Sequence, residues 1–240
     1  MIINVVILLI VIFIIYVRIR FINKDTLFSI LSDKDYLNKF TKQDMYVRGV
    51  KSIEEYTQKN IRESVSSPSF FEKLRLIWLT FIIDLKILIG NNNKAYFDKV
   101  KFTRIPWKIG VVNGNSYEAG FPHTRNENII FSRNSFYTSN ENLSRVLLHE
   151  KVHVYQYLYK KDAEKYIKSK NLKRIKRGKN VRANPDIDDY SYQDSSGNIY
   201  QAVYRKNAKS IGDVYYDMGK SQYYEHPYES MAIEMEKMLK

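Results

Sequence analysis

Between Ile2 and Val17 the chain carries a single polar residue, Asn4, and the run ends in Arg18, Arg20 and Lys24. Such a run falls just short of the ~17–25 apolar residues of a membrane-crossing helix, and Ile19, Phe21 and Ile22 extend it if the arginines snorkel. It has neither the basic start nor the small-residue cleavage site of a secretory signal. The pattern therefore predicts an uncleaved, single-pass anchor over residues 1–23. The Lys and Arg excess follows the run, so the positive-inside rule puts the remainder of the chain in the cytosol.

From Lys24 to about Asn91 the patterning is helical. Ser52-Ile53-Glu54-Glu55 and Ser69-Phe70-Phe71-Glu72 both fit the capping box, in which Ser and Glu satisfy each other's orphan amides. Phe70 to Ile89 is very apolar but is interrupted by Asp84 and Lys86. Charges are costly in lipid, so a buried helix is expected there rather than a second span. Asn91-Asn92-Asn93 marks a boundary.

The character changes after Tyr96. Trp107 to Val112 and Ile129 to Ser132 are short apolar runs separated by Asn113-Gly114-Asn115 and Gly120-Phe121-Pro122, and they read as strands. Thr138 to Asn142 opens a helix running to about Lys160. Its residues Leu143, Val146, Leu147, Val154, Tyr157 and Leu158 form one arc, and Leu148, Val152 and Tyr155 make the other side apolar too. A helix patterned this way is central to a fold. Tyr190 to Gln193 and Ile199 to Arg205 bracket Asp194-Ser195-Ser196-Gly197-Asn198 as a hairpin. The last helix starts at His226-Pro227, with proline at its favoured first position. The expected architecture is α+β: a helical region over residues 24–100 packed on a domain over residues 101–240, behind the anchor.

Composition narrows the chemistry. The chain has no cysteine, which removes disulfides and every thiolate zinc site. Its formal charge of +13 fits an acidic partner, an anionic membrane face or solubility alone. Lys160 to Arg182 concentrates that charge against only Asp162 and Glu164. Tyr166 alone interrupts the run, which lacks the aromatic interleaving of a single-strand binder and so weighs against nucleic acid.

Two of the four histidines lie in one pentapeptide, His149-Glu150-Lys151-Val152-His153. At i and i+4 on a helix both imidazoles reach one metal ion, and the intervening glutamate stands beside a metal-activated water as general base. Glu150 falls inside the apolar arc, where an unpaired carboxylate is costly. A catalytic zinc needs a third protein ligand and an open fourth position. Gln156 and Tyr159 stand where the metzincin continuation requires Gly and His, which excludes that subclass. The remaining donors are His123, His226, or a carboxylate such as Glu225 or Glu229; Glu229 is favoured. Glu118 is a further acid, able to meet a substrate amine or to lie at the surface. Tyr223, Tyr224 and His226 are placed to stabilise an oxyanion.

HExxH followed by Glu229 on a second helix, with the small Ala232 three positions later, resembles the gluzincin branch of the zincin metallopeptidases. The similarity runs from Gly120-Phe121-Pro122-His123-Thr124 to the terminal helix. It implies a zincin-like fold and one Zn2+ on His149, His153 and Glu229. It also implies Glu150 as general base, protein or peptide substrates, and an edge strand above the zinc helix, for which Asn128 to Ser132 is the candidate. The separation between His153 and Glu229 exceeds that of compact gluzincins. Two other functions fit the sequence: a zincin-fold interaction protein without catalysis, and a basic membrane-associated nucleic-acid binder.

Overall fold

The computed structural model describes residues 18–91, 94–215 and 224–239. One mixed sheet organises them. Strand β1 (Ile19–Phe21) and the two-residue β2 (Val65–Ser66) both pair with β3 (Trp107–Val112), β1 in parallel and β2 antiparallel. Beyond β3 the order continues through β5 (Asn128–Ser132), parallel to it, to β4 (His123–Arg125), antiparallel at the edge.

Helices cover both faces of this sheet. On one side lies α1 (Lys24–Leu31), whose Leu27 and Leu31 join Tyr56, Ile61, Val112 and Ile130 in a core. Gly110 permits that approach, since a Cβ there would stand 2.6 Å from Leu27 Cδ1. The short helix α2 (Lys42–Val47) lies beside this layer. The larger core is on the other side. It joins Trp107, Ile109, Val111 and Phe131 of the sheet to α3 (Phe70–Ile89), α4 (Lys99–Arg104), α5 (Asn140–Leu158) and α7 (Pro227–Glu236). Burial on both faces explains why β3 reads as a continuous apolar run.

After α5 the chain breaks at Tyr159 and restarts as α6 (Lys160–Ser169). A small antiparallel sheet follows from β6 (Lys173–Lys176), β7 (Tyr190–Gln193) and β8 (Ile199–Tyr200), with β7 and β8 forming the expected hairpin. Strands β9 (Val203–Tyr204) and β10 (Val214–Tyr215) make a final antiparallel pair.

The N-terminal anchor is overturned as an element of this architecture. No helix among the described residues is long and apolar enough to cross a membrane. Ile19–Phe21, counted above as the extension of a span, is instead a strand with backbone partners in β3. Residues 1–17 lie outside the described residues. The region before residue 101 is not purely helical either, because it contributes β1 and β2 to the sheet of the following region.

Helix α3 also departs from expectation. Its capping box forms as read, Ser69 accepting from Glu72 N and Glu72 accepting from Ser69 N. Asp84 does not interrupt the helix's burial; it faces inward. Lys151 Nζ of α5 reaches Asp84 Oδ1 at 2.6 Å, and Trp107 Nε1 donates to Asp84 Oδ2 at 3.0 Å. The Lys151 ammonium also lies 4.2 Å from the Trp107 ring centroid. The outward face, by contrast, is apolar: Phe70, Phe71, Leu74, Trp78, Leu85, Leu88 and Ile89 are all exposed. The helix is buried along one side only.

Burial pushes the Asp84 carboxyl above its ordinary value and the Lys151 ammonium down to about 8, so the pair holds its charge through mutual contact. Removing one partner strands the other. Lys151→Met is expected to destabilise the chain by about 3–5 kcal/mol in urea unfolding. Adding Asp84→Leu to it should recover part of that loss.

Candidate metal centre

Helix α5 begins at Ser139, whose side chain accepts from Asn142 N, and it passes through the core with His149 and His153 one turn apart. Helix α7 begins at His226, whose side chain accepts from Tyr228 N, and Pro227 fixes the first turn. That start places Glu229 opposite the two histidines. His149 Nε2 and His153 Nε2 are 3.1 Å apart, and Glu229 Oε2 lies 3.2 Å from the first and 3.4 Å from the second. Among the described residues these three form the group able to hold a metal ion.

The triangle has the dimensions of one face of a coordination tetrahedron. Ligand bonds of about 2.0–2.1 Å to zinc imply ligand-to-ligand edges of about 3.3–3.4 Å. The surroundings also orient each donor. His149 Nδ1 is 2.8 Å from Glu236 Oε1, and His153 Nδ1 is 2.8 Å from Gln156 Oε1. Gln156 then donates through Nε2 to the Tyr228 carbonyl at 2.9 Å, tying the histidine to α7. Asn184 Nδ2 donates to Glu229 Oε1 at 2.8 Å, which leaves Oε2 facing the imidazoles. With both Nδ1 atoms engaged outward, both Nε2 atoms face the carboxylate oxygen, an arrangement suited to protons or to one shared cation.

The electrostatics favour positive charge at this point. Burial alone would lower both imidazoles, but Glu229 and Glu236 outweigh it and push His149 up to about 11. Glu229 does the same for His153, raising it to about 9. The Glu229 carboxyl, despite its own burial, is held well below its ordinary value by the two histidines. A bound metal would replace the protons that these shifts describe.

Glu150 is buried on the inner side of α5 and its carboxyl is raised by that burial, against the pull of His149 and His153. The Thr124 hydroxyl lies 3.0 Å from both Glu150 Oε2 and the Glu150 carbonyl. Thr124 belongs to β4, so the edge strand beside the motif is His123–Arg125. Asn128–Ser132, the candidate from sequence, lies inside the sheet between β3 and β4, because the chain reverses tightly at Asn126 (φ 57°) and pairs β4 outside it. The outer amide of β4 is engaged: Asp186 Oδ1 accepts from Thr124 N. Asn184 and Asp186 thus bring one loop across the site, and with His149, Glu150, Phe121 and His123 they line a cleft of about 350 Å³.

The other candidate residues sit elsewhere or do other work. His123 is buried, with Nδ1 3.1 Å from the Phe121 carbonyl and Nε2 3.2 Å from the Tyr117 hydroxyl. Glu118 is neither at the surface nor open to a substrate amine. Arg48 Nη2 reaches it at 2.6 Å and the Tyr56 hydroxyl at 2.7 Å. His226 caps α7 and lies 3.4 Å from Asp188, apart from the triangle. Glu225 stands just before that cap, its carbonyl accepting from Ser230 Oγ. Tyr224 packs on Tyr200, and Tyr223 lies outside the described residues.

Sequence reading missed Thr124, Asn184, Asp186 and Glu236, and used Gln156 only for exclusion. Gln156 and Glu236 lie on the same helices as the ligands, at spacings of three and seven residues, and that periodicity was a usable signal. Thr124, Asn184 and Asp186 arrive through an edge strand and a loop; Asn184-Pro185-Asp186 reads as a turn in sequence, but nothing local says which element it docks against. Comparison of the chain with family models, with curated proteins and with solved structures gives no significant match in any of the three.

Burial lowers the His123 imidazole to about 4. Because the folded value lies below the unfolded one near 6.5, this group stabilises the fold above about pH 6.5 and that contribution is lost as pH falls towards 4. Its size is on the order of 3 kcal/mol. Urea midpoints measured between pH 7 and 4 should fall less steeply in His123→Gln than in the wild type.

Proposed function

We propose that the chain is a zinc-dependent peptidase of the zincin type, in which His149, His153 and Glu229 hold the metal and Glu150 is the general base. The observation that carries this reading is the triangle of donors, 3.1–3.4 Å on each edge, with each histidine oriented through its other nitrogen. Two imidazoles and one carboxylate are a donor set suited to catalytic zinc, and the cleft in front of them supplies the open position. Held by His149, His153 and Glu229, zinc would supply a Lewis acid for a carbonyl oxygen and would bring the pKa of water towards about 7.

The chain's own residues do the remaining work. Glu150 accepts a proton from the attacking water and returns it to the leaving amine, which suits a carboxyl whose burial raises its pKa. Thr124 fixes one oxygen of that carboxyl and leaves the other for the water. Asn184 keeps the Glu229 Oε2 atom turned towards the imidazoles. An extended peptide lying along β4 would have to displace the Asp186 carboxylate from the Thr124 amide in order to pair there.

The Thr124 amide bonded to Asp186 favours a second reading, a zincin-type interaction domain in which the metal is structural. Zinc content and hydrolysis separate the two. The purified chain is expected to hold one zinc, lost or greatly weakened in His149→Ala and Glu229→Ala. Glu150→Gln should keep the zinc and lose hydrolysis of a mixed peptide library by about 100-fold or more. A folded wild type that takes up no zinc sinks both readings. Zinc without hydrolysis leaves the structural one.

A further inference from the structure

Helix α3 presents an outer face that no neighbour among the described residues covers. Phe71, Leu74, Trp78, Leu85 and Leu88 recur at intervals that keep them on one side, each between 41% and 79% exposed, and Phe70 and Ile89 extend the stripe at its two ends. At 1.5 Å per residue the helix is about 30 Å long, so the stripe runs in a line of that order. Tyr137, 84% exposed, stands beside its N-terminal half, where Arg75 binds the Phe136 and Thr138 carbonyls. Solvated helices put polar residues on this side, and contiguous apolar patches of this extent mark contact surfaces.

We infer that the outer face of α3 lies flat on an anionic phospholipid surface. Three observations select lipid over a protein partner. First, the stripe offers almost no hydrogen-bonding group of its own. A protein interface carries about one hydrogen bond per 100–200 Å², whereas hydrocarbon requires none. Second, the charges are segregated by sign. The helix's acids are consumed internally, Asp84 by Lys151 and Trp107, and Glu72 by Ser69 and Arg133. Its cations Lys73 and Lys86 stand along the border, Lys86 donating to the Leu239 carbonyl, in a chain of net charge +13, whereas the Arg75 guanidinium is spent on the Phe136 and Thr138 carbonyls. Third, Trp78, Phe70, Phe71 and Tyr137 are aromatic, and aromatic side chains favour the headgroup boundary. A recess of about 130 Å³ adjoins the stripe, with Phe81, Leu85 and Leu88 as apolar walls and Arg18 and Asp84 both in its lining. This is contact with one leaflet through an existing helix of the fold, and it does not depend on the metal site.

The absence of native cysteine makes a local test possible in the full chain. Leu85→Cys and, as a control on the opposite side of the sheet, Lys59→Cys would each carry an environment-sensitive fluorophore. Vesicles of phosphatidylcholine with about 30% phosphatidylserine are the probe. Doxyl-labelled lipid should quench the fluorophore at position 85 but not at 59, and aqueous iodide should lose access to 85 alone. Leu74→Glu, Trp78→Glu and Leu85→Glu together should weaken vesicle binding at least about tenfold while circular dichroism is unchanged. Should the triple variant misfold, the doxyl and iodide arms on the single-cysteine chains still decide. The inference is overturned if position 85 stays open to iodide on bound vesicles or if the folded triple variant binds as the wild type does. It is equally overturned if the wild type proves a dimer that the triple variant dissociates, which would assign the stripe to a second copy.

Discussion

The structure is arranged around a cost that helix α5 imposes on the core. Glu150, Lys151, His153 and Gln156 follow one another along its centre, each no more than 4% exposed. A charge or polar group at such depth must be answered by a partner or the fold loses several kcal/mol. The answers come from three different elements. Asp84 of α3 meets Lys151, Thr124 of β4 meets Glu150, Glu229 of α7 meets His153, and the Tyr228 carbonyl meets Gln156. Satisfying one helix therefore fixes the relative positions of two others and an edge strand. The geometry that gathers three candidate metal donors follows from the same requirement.

Much of this was legible in the chain, because periodicity reports which side of an element is buried. The strands at Trp107–Val112 and Asn128–Ser132, the central helix, the hairpin and the proline-started last helix all follow from local pattern. The proximity of Glu229 to His149 and His153 was implied by the gluzincin resemblance, while the residues alone left His123, His226 and Glu225 open. Pairing between distant strands was not. Ile19–Phe21 resembles the end of an apolar helix in sequence, and only the neighbouring Trp107–Ile109 makes it a strand. The short β4 looked like part of a turn for the same reason, since its identity rests on what lies beside it. At Ser52 the cap forms, but the Glu55 carboxylate takes the Lys51 amide instead of closing the box.

Helix α3 shows how one sequence serves two environments. An apolar run interrupted by Asp84 and Lys86 predicts a buried helix, yet Asp84 marks the inward side and the apolar residues are divided between both. The inward side is specified by a directional contact, Lys151 with Asp84, rather than by hydrophobicity alone. The outward side is left free of any such constraint.

Glu118, Ala119 and Gly120 are consecutive residues with φ of 46°, 53° and 75°. For the glutamate this backbone is strained, and glycine would relieve it. Yet its carboxylate neutralises Arg48, whose side chain is 1% exposed. Inheritance at these two positions is therefore linked: in a lineage that relaxed residue 118 to glycine, the buried arginine would keep Asp44 alone as its counter-ion.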